Sequence, residues 1–385
     1  MRLASVLLVA ATLGGAGLQV PESASAGLAM SCGTPLDAAG QWPIASPEAA
    51  GLDVALLCSL NAALDKSLEM NVHAVVVVRG GKLVYETYRA GEDTWWGSKL
   101  GVTPHTPQTL HDLRSVTKSV VSLLVGIALD RKLIAGIDDP VFSYFPEYAA
   151  LRTPEKDRIH LRHLITMTSG FIWDEWRPYS DPENTERMMI RSAEPYRFVL
   201  EKRLRRDPGE EWNYNGGCTQ LLAGVLQRTT GKTLADFAKQ ALFEPLGIDE
   251  FEWADMPASG EVAAASGLRL RPRDMAKIGQ LVLDKGLRKG LGIVSESWIE
   301  ESTKSQPIDA LHPNGYGYQW WVNESVVGAR HIPWIAGQGL GGQRIYIVPT
   351  YDLVVVITTG LYASDHQEAV PRDILDNYVL AAIRE

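Results

Sequence analysis

The sequence predicts a mixed α/β protein of the α+β type, with one antiparallel sheet built from both ends of the chain. A β-hairpin pattern stands near each end, and apolar residues at helical spacing dominate the middle, about residues 106–300. A chain of 385 residues, 45% of them hydrophobic, can bury a large core in about two domain-sized units. The middle region is therefore expected to be a mostly helical insertion beside the sheet.

The two hairpins are the clearest strand signals. A β-branched run at 73–79 is followed by a Gly-Gly turn and a second run at 83–88, which is typical of a tight hairpin. Near the other end, apolar runs at 344–349 and 353–358 are joined by a three-residue turn. We expect both hairpins to belong to the same sheet.

Helices are predicted on both flanks of the sheet. Residues 52–69 carry apolar side chains at helical spacing, and an amphipathic pattern at about 368–384 closes the chain. We therefore expect a discontinuous sheet domain from residues 45–105 and 265–385. Residues 106–264 would then form the inserted helical domain.

Composition narrows the class of function. Lys and Arg number 37 against 46 Asp and Glu, a net charge of -9, and no run of five basic residues occurs, so no nucleic-acid partner is expected. The three cysteines, Cys32, Cys58 and Cys218, lack the spacing of a zinc site and are too few for a disulfide scaffold. A Cys32–Cys58 bridge and buried unpaired cysteines are both open at this point.

Residues 1–26 have the pattern of a secretory signal peptide. Arg2 precedes an apolar stretch, and Ala24 and Ala26 supply an A-x-A cleavage pattern. We expect cleavage near Ala26 and export to the periplasm or the medium, with a lipoprotein site at Cys32 as the weaker alternative. No other segment approaches 18 uninterrupted apolar residues, so no stable membrane span is expected.

A serine and a lysine stand three residues apart at the start of a strongly apolar helix. From Ser119 to Leu129 there is no charged residue, which is typical of a buried helix. Ser115 and Lys118 share one helical face. Burial and the helix dipole both disfavour a charged lysine, so Lys118 can act as a base toward a Ser115 nucleophile. The alternative is a capping serine and a lysine that reaches solvent.

A second candidate lies on the turn-rich segment 207–217. Tyr214 stands there between Pro-Gly and Asn-Gly-Gly turns, before a helical pattern that ends near Gly231. A phenol held rigidly beside a neutral lysine can pass a proton to a leaving group. A packing tyrosine is the alternative interpretation.

Glycines cluster at 336–343, where Gly337, Gly339 and Gly342 fit the G-x-G-x-x-G pattern. A dinucleotide fingerprint requires a following helix, and here a strand follows, so that interpretation is rejected. Glycines before an edge strand instead permit close approach of the backbone to a ligand. An exposed N–H there supplies half of an oxyanion hole.

Aromatic and histidine residues give weaker signals. Trp173, Trp176 and Tyr179 stand on a polar, loop-like segment, where lining a cleft and packing in the core are both open. His160 and His163 are three residues apart, as metal ligands can be. No third ligand is near them in sequence, so we interpret the histidines as structural.

Taken together, these segments resemble the serine β-lactamase and penicillin-binding-protein-like hydrolases. The similarity points to the class C-like branch, with its β-lactamase-fold esterases, DD-peptidases and 6-aminohexanoate-dimer hydrolases, and covers about residues 45–380. It rests on short stretches at 113–118, 137–141, 161–170, 208–214, 244–248 and 271–277. The resemblance implies a β-lactamase/DD-peptidase-like fold with the active site between the sheet and helical domains.

The resemblance also implies a role for each matching residue. Ser115 would be the acylated nucleophile, Lys118 the base that activates it and Tyr214 a proton shuttle. The backbone N–H groups of Ser115 and Leu340 would form the oxyanion hole. No metal and no organic cofactor are implied, and the partner would be a small-molecule ester, amide or peptide substrate.

Two departures from the family pattern shift the expected substrate. The asparagine of the Tyr-x-Asn element is Gly216 here, and the Lys-Thr-Gly element reads Gly337-Gln338-Gly339. Without the cation and hydroxyl that hold a substrate carboxylate, recognition of β-lactams and D-Ala-D-Ala should weaken. We therefore expect a hydrolase of neutral esters or amides. The alternatives are a β-lactamase or DD-carboxypeptidase, and a non-catalytic binding protein on the same fold.

Four residues are candidate substrate contacts around this site: Trp173, Trp176, Gln338 and Gly339. Arg344, shortly after the glycines, is a cation that could replace the missing lysine. The oligomeric state and the acyl-chain preference are open at this stage.

Overall fold

The computed structural model describes residue 32 and residues 34–35, 42–306 and 314–384. The signal peptide expected at 1–26 lies outside these residues. Cysteines 32 and 58 form a disulfide with their Cα atoms 5.4 Å apart, which decides the pairing that the sequence left open. No helix in the described ranges is both long enough and apolar enough to cross a membrane.

The described chain alternates between a strand-rich start, a helical middle and a strand-rich end. Its strands are β1 Val72–Arg79, β2 Lys82–Tyr88, β3 Gly91–Trp95, β4 Ser98–Thr103, β5 His111–Asp112, β6 Glu252–Trp253, β7 Leu268–Leu270, β8 Leu287–Arg288, β9 Leu291–Gly292, β10 Gly315–Tyr316, β11 Trp321–Val327, β12 Arg330–Gly339, β13 Gln343–Val348 and β14 Leu353–Thr359. Its α-helices are α1 Val54–Lys66, α2 Val116–Asp130, α3 Leu161–Ile165, α4 Thr185–Ile190, α5 Pro195–Leu200, α6 Gly216–Thr230, α7 Leu234–Ala238, α8 Glu244–Leu246, α9 Pro272–Leu283, α10 Glu296–Ser302 and α11 Ala369–Asp373.

The main sheet joins the two ends of the chain, as the sequence predicts. Among the described residues it has seven antiparallel strands in the order β10-β11-β12-β13-β14-β1-β2. Strand β1 pairs with β14, so that Val76 lies opposite Val356. Both strands are buried almost throughout, which explains their unbroken β-branched runs in place of an alternating pattern. Helix α9 packs across β13, β14 and β1.

The flanking helices form where the apolar spacing indicates, with differences in detail. Helix α1 begins after Asp53, whose side chain accepts a hydrogen bond from the Leu56 N–H as an N-cap does. The final helix was expected to be one α-helix over 368–384. Instead, α11 continues as a π-helical segment, Ile374–Leu380.

The glycine segment lies at the turn between β12 and β13, inside the sheet. Strand β13 has β12 and β14 as neighbours, so the expectation of an edge strand is wrong. The glycines make room for the start of α2 instead. A Cβ on Gly339 would overlap the Leu113 carbonyl oxygen, and one on Gly337 would lie 3.1 Å from Val116 Cγ1. The β12–β13 turn is thereby held beside the first turn of α2.

Helix α2 is enclosed on all sides, from Val116 to Ala128. It contacts α6 in the helical region and β12 in the sheet. The residues at its N-terminus therefore lie where these two parts of the fold meet.

Candidate active site

Ser115 is the N-cap residue of α2, and Lys118 lies one turn into the helix. The Lys118 Nζ donates a hydrogen bond to Ser115 Oγ at 2.9 Å and another to the Ala265 carbonyl oxygen at 3.2 Å. Lys118 is 1% exposed, whereas Ser115 is partly exposed. The lysine is thus directed at the serine and away from solvent.

The turn before Ser115 is strained. Arg114 has φ = 49° and is buried, a left-handed conformation that side chains other than glycine seldom adopt. Its guanidinium carbon lies 5.2 Å from the centre of the Tyr179 ring. Strain of this kind is found at functional sites, where the surrounding structure holds a side chain in one orientation.

Tyr214 lies over the lysine within a group of aromatic rings. The Lys118 Nζ is 4.7 Å from the centre of the Tyr214 ring, and Trp176 and Trp321 lie within 6 Å of that ring, centre to centre. Burial, reinforced by the Glu175 charge, raises the pKa of Tyr214 well above its ordinary value, and the Ser115 hydroxyl opposes this shift. The phenol is therefore protonated at neutral pH and can donate or relay a proton.

A residue that sequence reasoning missed, Glu175, contacts the lysine. Its Oε1 lies 3.6 Å from the Lys118 Nζ. Its Oε2 accepts hydrogen bonds from the Gly216 N–H and the Trp173 indole N–H, both at 2.6 Å. Burial, together with the charge of the neighbouring Glu186, raises the pKa of Glu175 to about 7 against the opposing effect of Lys118.

Gly216 explains how this carboxylate fits. A Cβ at this position would lie 3.1 Å from Glu175 Oε2 and 3.3 Å from Glu186 Cδ. The glycine that departs from the Tyr-x-Asn pattern therefore leaves room for an acidic group beside Lys118. Asn215 is turned elsewhere, because its side chain caps α6 by accepting a hydrogen bond from the Cys218 N–H. A glycine where a side chain is expected, together with acidic residues on 173–179, was the signal available in the sequence.

Two residues that line the same opening have backbone N–H groups without an acceptor among the described residues. Ser115 and Leu340 both line the cleft, and within the described ranges neither of their N–H groups donates a hydrogen bond to the protein. Backbone donors without an internal acceptor can stabilise a developing oxyanion.

The cleft above Ser115 has a volume of about 630 Å³. Of the expected substrate contacts, Trp176, Gln338 and Gly339 line it. Trp173 does not belong to the lining, since its ring is buried behind Glu175 and donates the hydrogen bond described above. Trp176 is 60% exposed and offers an apolar surface at the entrance.

Acidic groups outnumber basic ones around this cleft. Glu175, Asp365 and Glu368 line it, while Arg177 is the one cation among its described lining residues. The Arg177 guanidinium is bound to the Asp174 carboxylate at 2.8 Å. Glu175 and Glu368 each face a cation, Lys118 and Arg344, so the excess negative charge of the lining comes mainly from Asp365.

Arg344 does not supply the missing cation. It is buried and donates to the Gly339 and Gln343 carbonyl oxygens at 3.0 and 2.8 Å. Its Nη2 binds the Glu368 carboxylate at 2.6 Å. Arg344 thus stabilises the β12–β13 turn and holds the Glu368 carboxylate in place.

The histidine pair near α3 has a local structural role. The His163 Nδ1 accepts a hydrogen bond from the His160 N–H at 3.0 Å, and the two rings stack with their centres 5.5 Å apart. The two histidines thus interact with each other at the start of α3.

A comparison with models of known protein families shows which family this chain belongs to. Residues 60–377 match the family model described as Beta-lactamase. The chain belongs to the beta-lactamase family. Within that family it is a serine hydrolase, and its fold is the mixed α/β fold with an antiparallel sheet that the sequence predicts.

Two curated proteins and one solved structure illustrate what this chain is similar to. It is 27% identical over 304 residues to the 6-aminohexanoate-dimer hydrolase of Paenarthrobacter ureafaciens, which covers 74% of this chain and 71% of that protein. It is 31% identical over 216 residues to Esterase EstB of Burkholderia gladioli, covering 52% of this chain and about half (53%) of the esterase. The penicillin-binding protein homologue from Pyrococcus abyssi superposes with a TM-score of 0.61 at 20% identity, over 86% of this chain and 77% of the other.

Proposed function

We propose that this chain hydrolyses neutral carboxylic esters or amides through an acyl-enzyme on Ser115. The observation that carries the proposal is the 2.9 Å contact between Lys118 Nζ and Ser115 Oγ at the base of an open cleft. A buried amine in contact with a hydroxyl can remove its proton as the oxygen attacks a carbonyl carbon.

The proposed reaction has two stages. Ser115 Oγ bonds to the acyl carbon while its proton passes to the Lys118 amine, and the Ser115 and Leu340 N–H groups stabilise the oxyanion. The bond to the leaving alkoxide or amine then breaks, and that group takes a proton through the Tyr214 phenol. Water attacks the acyl-enzyme in the same way, releasing the acid and restoring the Ser115 hydroxyl.

Glu175 is proposed to act through Lys118. When the lysine gains the serine proton, positive charge appears 3.6 Å from the Glu175 carboxylate, which stabilises that charge if it is ionised. Glu175 does not reach the substrate carbonyl in this proposal, so it is a positioning residue.

The charge of the cleft supports a neutral substrate. One relative described above is named an esterase. Arg344 is not available to hold a substrate carboxylate. Glu175 and Glu368 each face a cation, so Asp365 is the acid of the lining that would chiefly repel a substrate carboxylate. Aryl esters such as p-nitrophenyl butyrate are therefore better probes than β-lactams.

Initial-rate hydrolysis of p-nitrophenyl butyrate by the purified chain and its Ser115→Ala variant tests the proposal. We expect the variant to lose at least 10³-fold in kcat/KM, as loss of a nucleophile does (about 10⁴ to 10⁶). Ser119→Ala is the matched control, because its hydroxyl lies one turn along and donates to the Gln319 carbonyl oxygen. Equal rates for wild type and Ser115→Ala would overturn the assignment.

Two further substrates separate the alternatives. A chromogenic cephalosporin turned over faster than the ester would favour the β-lactamase or DD-carboxypeptidase assignment. The anionic p-nitrophenyl monoester of succinic acid should react more slowly than the neutral butyrate, especially at low salt. Binding without turnover of any of the three would favour a non-catalytic protein.

Export is also proposed, on the N-terminal pattern described above. The Cys32–Cys58 disulfide supports it, because such bonds persist in oxidising compartments. The sulfur of Cys32 is engaged in that bond and is not free for a lipid thioether. Cell fractionation with N-terminal sequencing of the mature chain tests this, and an uncleaved cytoplasmic chain would contradict it.

A further inference from the structure

Three histidines and an aspartate converge in the core, outside the residues that line the cleft. His73 on β1, Asp93 on β3, His105 shortly after β4 and His111 on β5 are all buried. We refer to these four residues as the histidine cluster. One potential ligand atom from each lies within 4.8 Å of the other three.

Hydrogen bonds to the outer side of two rings fix their tautomers. His111 Nδ1 lies 3.0 Å from the Asp112 carbonyl oxygen, and a carbonyl can only accept, so this nitrogen carries the proton. His73 Nε2 lies 3.2 Å from Asn71 Oδ1. The amide of Asn71 is oriented by its own donation to the Glu92 carbonyl, so the His73 Nε2 is likewise the donor.

The two inner nitrogens of these rings consequently carry lone pairs, and they face each other. His73 Nδ1 and His111 Nε2 are 2.8 Å apart. Two lone pairs at this distance repel unless a cation lies between them. A shared proton or a metal ion can provide that cation.

The other two members favour the metal ion. Within the described residues, His105 Nε2 and Asp93 Oδ2 are buried and have no hydrogen-bond partner. Asp93 Oδ2 is 3.9 Å from His105 Nε2, and Asp93 Oδ1 is 3.8 Å from His111 Nε2. A proton between His73 and His111 would leave these two groups unsatisfied. A central cation would satisfy all four once the His73 and His105 rings, which stack with their centres 4.0 Å apart, turn toward it.

We propose that the histidine cluster binds one divalent transition-metal ion, with Zn²⁺ the best fit. Three imidazole nitrogens and one carboxylate oxygen are a zinc donor set. Tetrahedral bonds of about 2.0 Å place ligand atoms roughly 3.3 Å apart. The separations here run from 2.8 Å between His73 Nδ1 and His111 Nε2 to no more than 4.8 Å among the four ligand atoms. The hydrogen bonds to Asp112 and Asn71 are the outer contacts that orient metal-bound histidines.

The position indicates a structural role for the metal. Four protein ligands, all buried, complete a tetrahedral site without an open position for water. His111 lies four residues before Ser115, and Asp93 Oδ1 accepts a hydrogen bond at 3.1 Å from Tyr362, which lines the cleft. The metal would hold β1, β3 and β5 together beneath the strained turn that presents Ser115.

Metal content is the direct test. The full-length chain, produced in zinc-supplemented medium and purified without chelator, should hold about one zinc per chain by elemental analysis. Asp93→Asn and His105→Gln should reduce this to background. His160→Gln, a histidine outside the cluster, should retain the metal and serves as the control.

A second measurement does not depend on the variants folding. Wild type refolded with Co²⁺ should show the intense visible bands of tetrahedral cobalt, and refolding with chelator should lower Tm by about 5 °C or more relative to refolding with Zn²⁺. Folded wild type that holds no metal, gives no cobalt bands and has a Tm insensitive to Zn²⁺ would overturn the site. That result would favour a proton shared between His73 and His111.

Discussion

The carboxylate of Glu175 and the amine of Lys118 lie 3.6 Å apart in a part of the site that is almost closed to solvent. Neither the spacing of the serine and lysine nor the Tyr-x-Asn pattern includes this acid. The base of the proposed reaction therefore has a charged neighbour whose protonation changes near neutral pH.

Replacing Glu175 by glutamine should change how activity depends on pH. Its pKa of about 7 means that the stabilising negative charge develops as the pH rises through that value. We expect wild-type kcat/KM for p-nitrophenyl butyrate to rise over this range. In Glu175→Gln, kcat/KM should be roughly 10- to 100-fold lower and should no longer rise with pH over this range. Glu183→Gln, an exposed acid in the loop between Glu175 and α4, is the control. If kcat/KM of Glu175→Gln still rose over the same pH range, the rise would have to come from another titrating group.

The same residue makes a prediction about stability. Because the folded pKa of Glu175 lies above the ordinary value of 4.5, the folded chain binds this proton more tightly than the unfolded chain. The free energy of unfolding should therefore fall as the pH rises from about 4.5 to 7, and the contribution should level off above 7. Urea unfolding at several pH values should show a shallower fall for Glu175→Gln. An equal fall in the variant would contradict the assignment.

Tyr214→Phe should separate proton transfer from packing. The ring and its contacts with Trp176 and Trp321 remain, while the protonated phenol near Ser115 is lost. We expect kcat to fall by about 10² to 10⁴ with a small change in Tm. Tyr316→Phe removes a neighbouring buried phenol and should keep most of the activity. Comparable losses in both variants would indicate a packing effect.

Trp176→Ala should act on substrate binding. The Trp176 side chain is exposed at the cleft and packs against Tyr214, so its loss removes apolar contact area for an acyl chain. We expect KM to rise several-fold for long acyl chains, less for acetate, with kcat nearly constant. Trp95→Ala changes another exposed tryptophan outside the cleft lining and is the control. A fall in kcat alone would count against a binding role.

Reduction of the Cys32–Cys58 disulfide should destabilise the chain. The bond closes a loop across 26 positions, and loops of this size contribute roughly 3 kcal/mol. In thermal melts, reductant should lower the Tm of the wild type. The Cys58→Ser variant should have a similarly low Tm without reductant, and reductant should not lower it further. Cys218→Ala lacks the free thiol and should still respond to reductant. If reductant left the Tm of the wild type unchanged, the disulfide would contribute little to stability.

Local patterns in the sequence were enough for the hairpins and for the serine–lysine pair. The run at 73–79 and its partner at 353–358 form adjacent strands because their β-branched side chains fit a sheet covered on its faces. Ser115 and Lys118 meet because three residues are nearly one helical turn. Both inferences depend on contacts within a short stretch of chain.

Long-range contacts account for what the sequence did not reveal. Glu175 reaches Lys118 only because a loop folds over the helix, and its place is opened by the absence of a side chain at Gly216. The histidine cluster is assembled from β1, β3, β5 and the stretch after β4, without any regular spacing. The expectation of an edge strand after the glycines was wrong because β13 also pairs with β14, a strand that comes later in the sequence.

The pairing of β1 with β14 sets an order for folding during synthesis. Val76 finds its partner Val356 only after 280 further residues have left the ribosome. Until then one edge of a continuous β-branched strand has no partner, and such edges are prone to pair with other chains. A chain stalled or truncated before β14 should therefore aggregate, so the last strands of the sheet are also its protection against self-association.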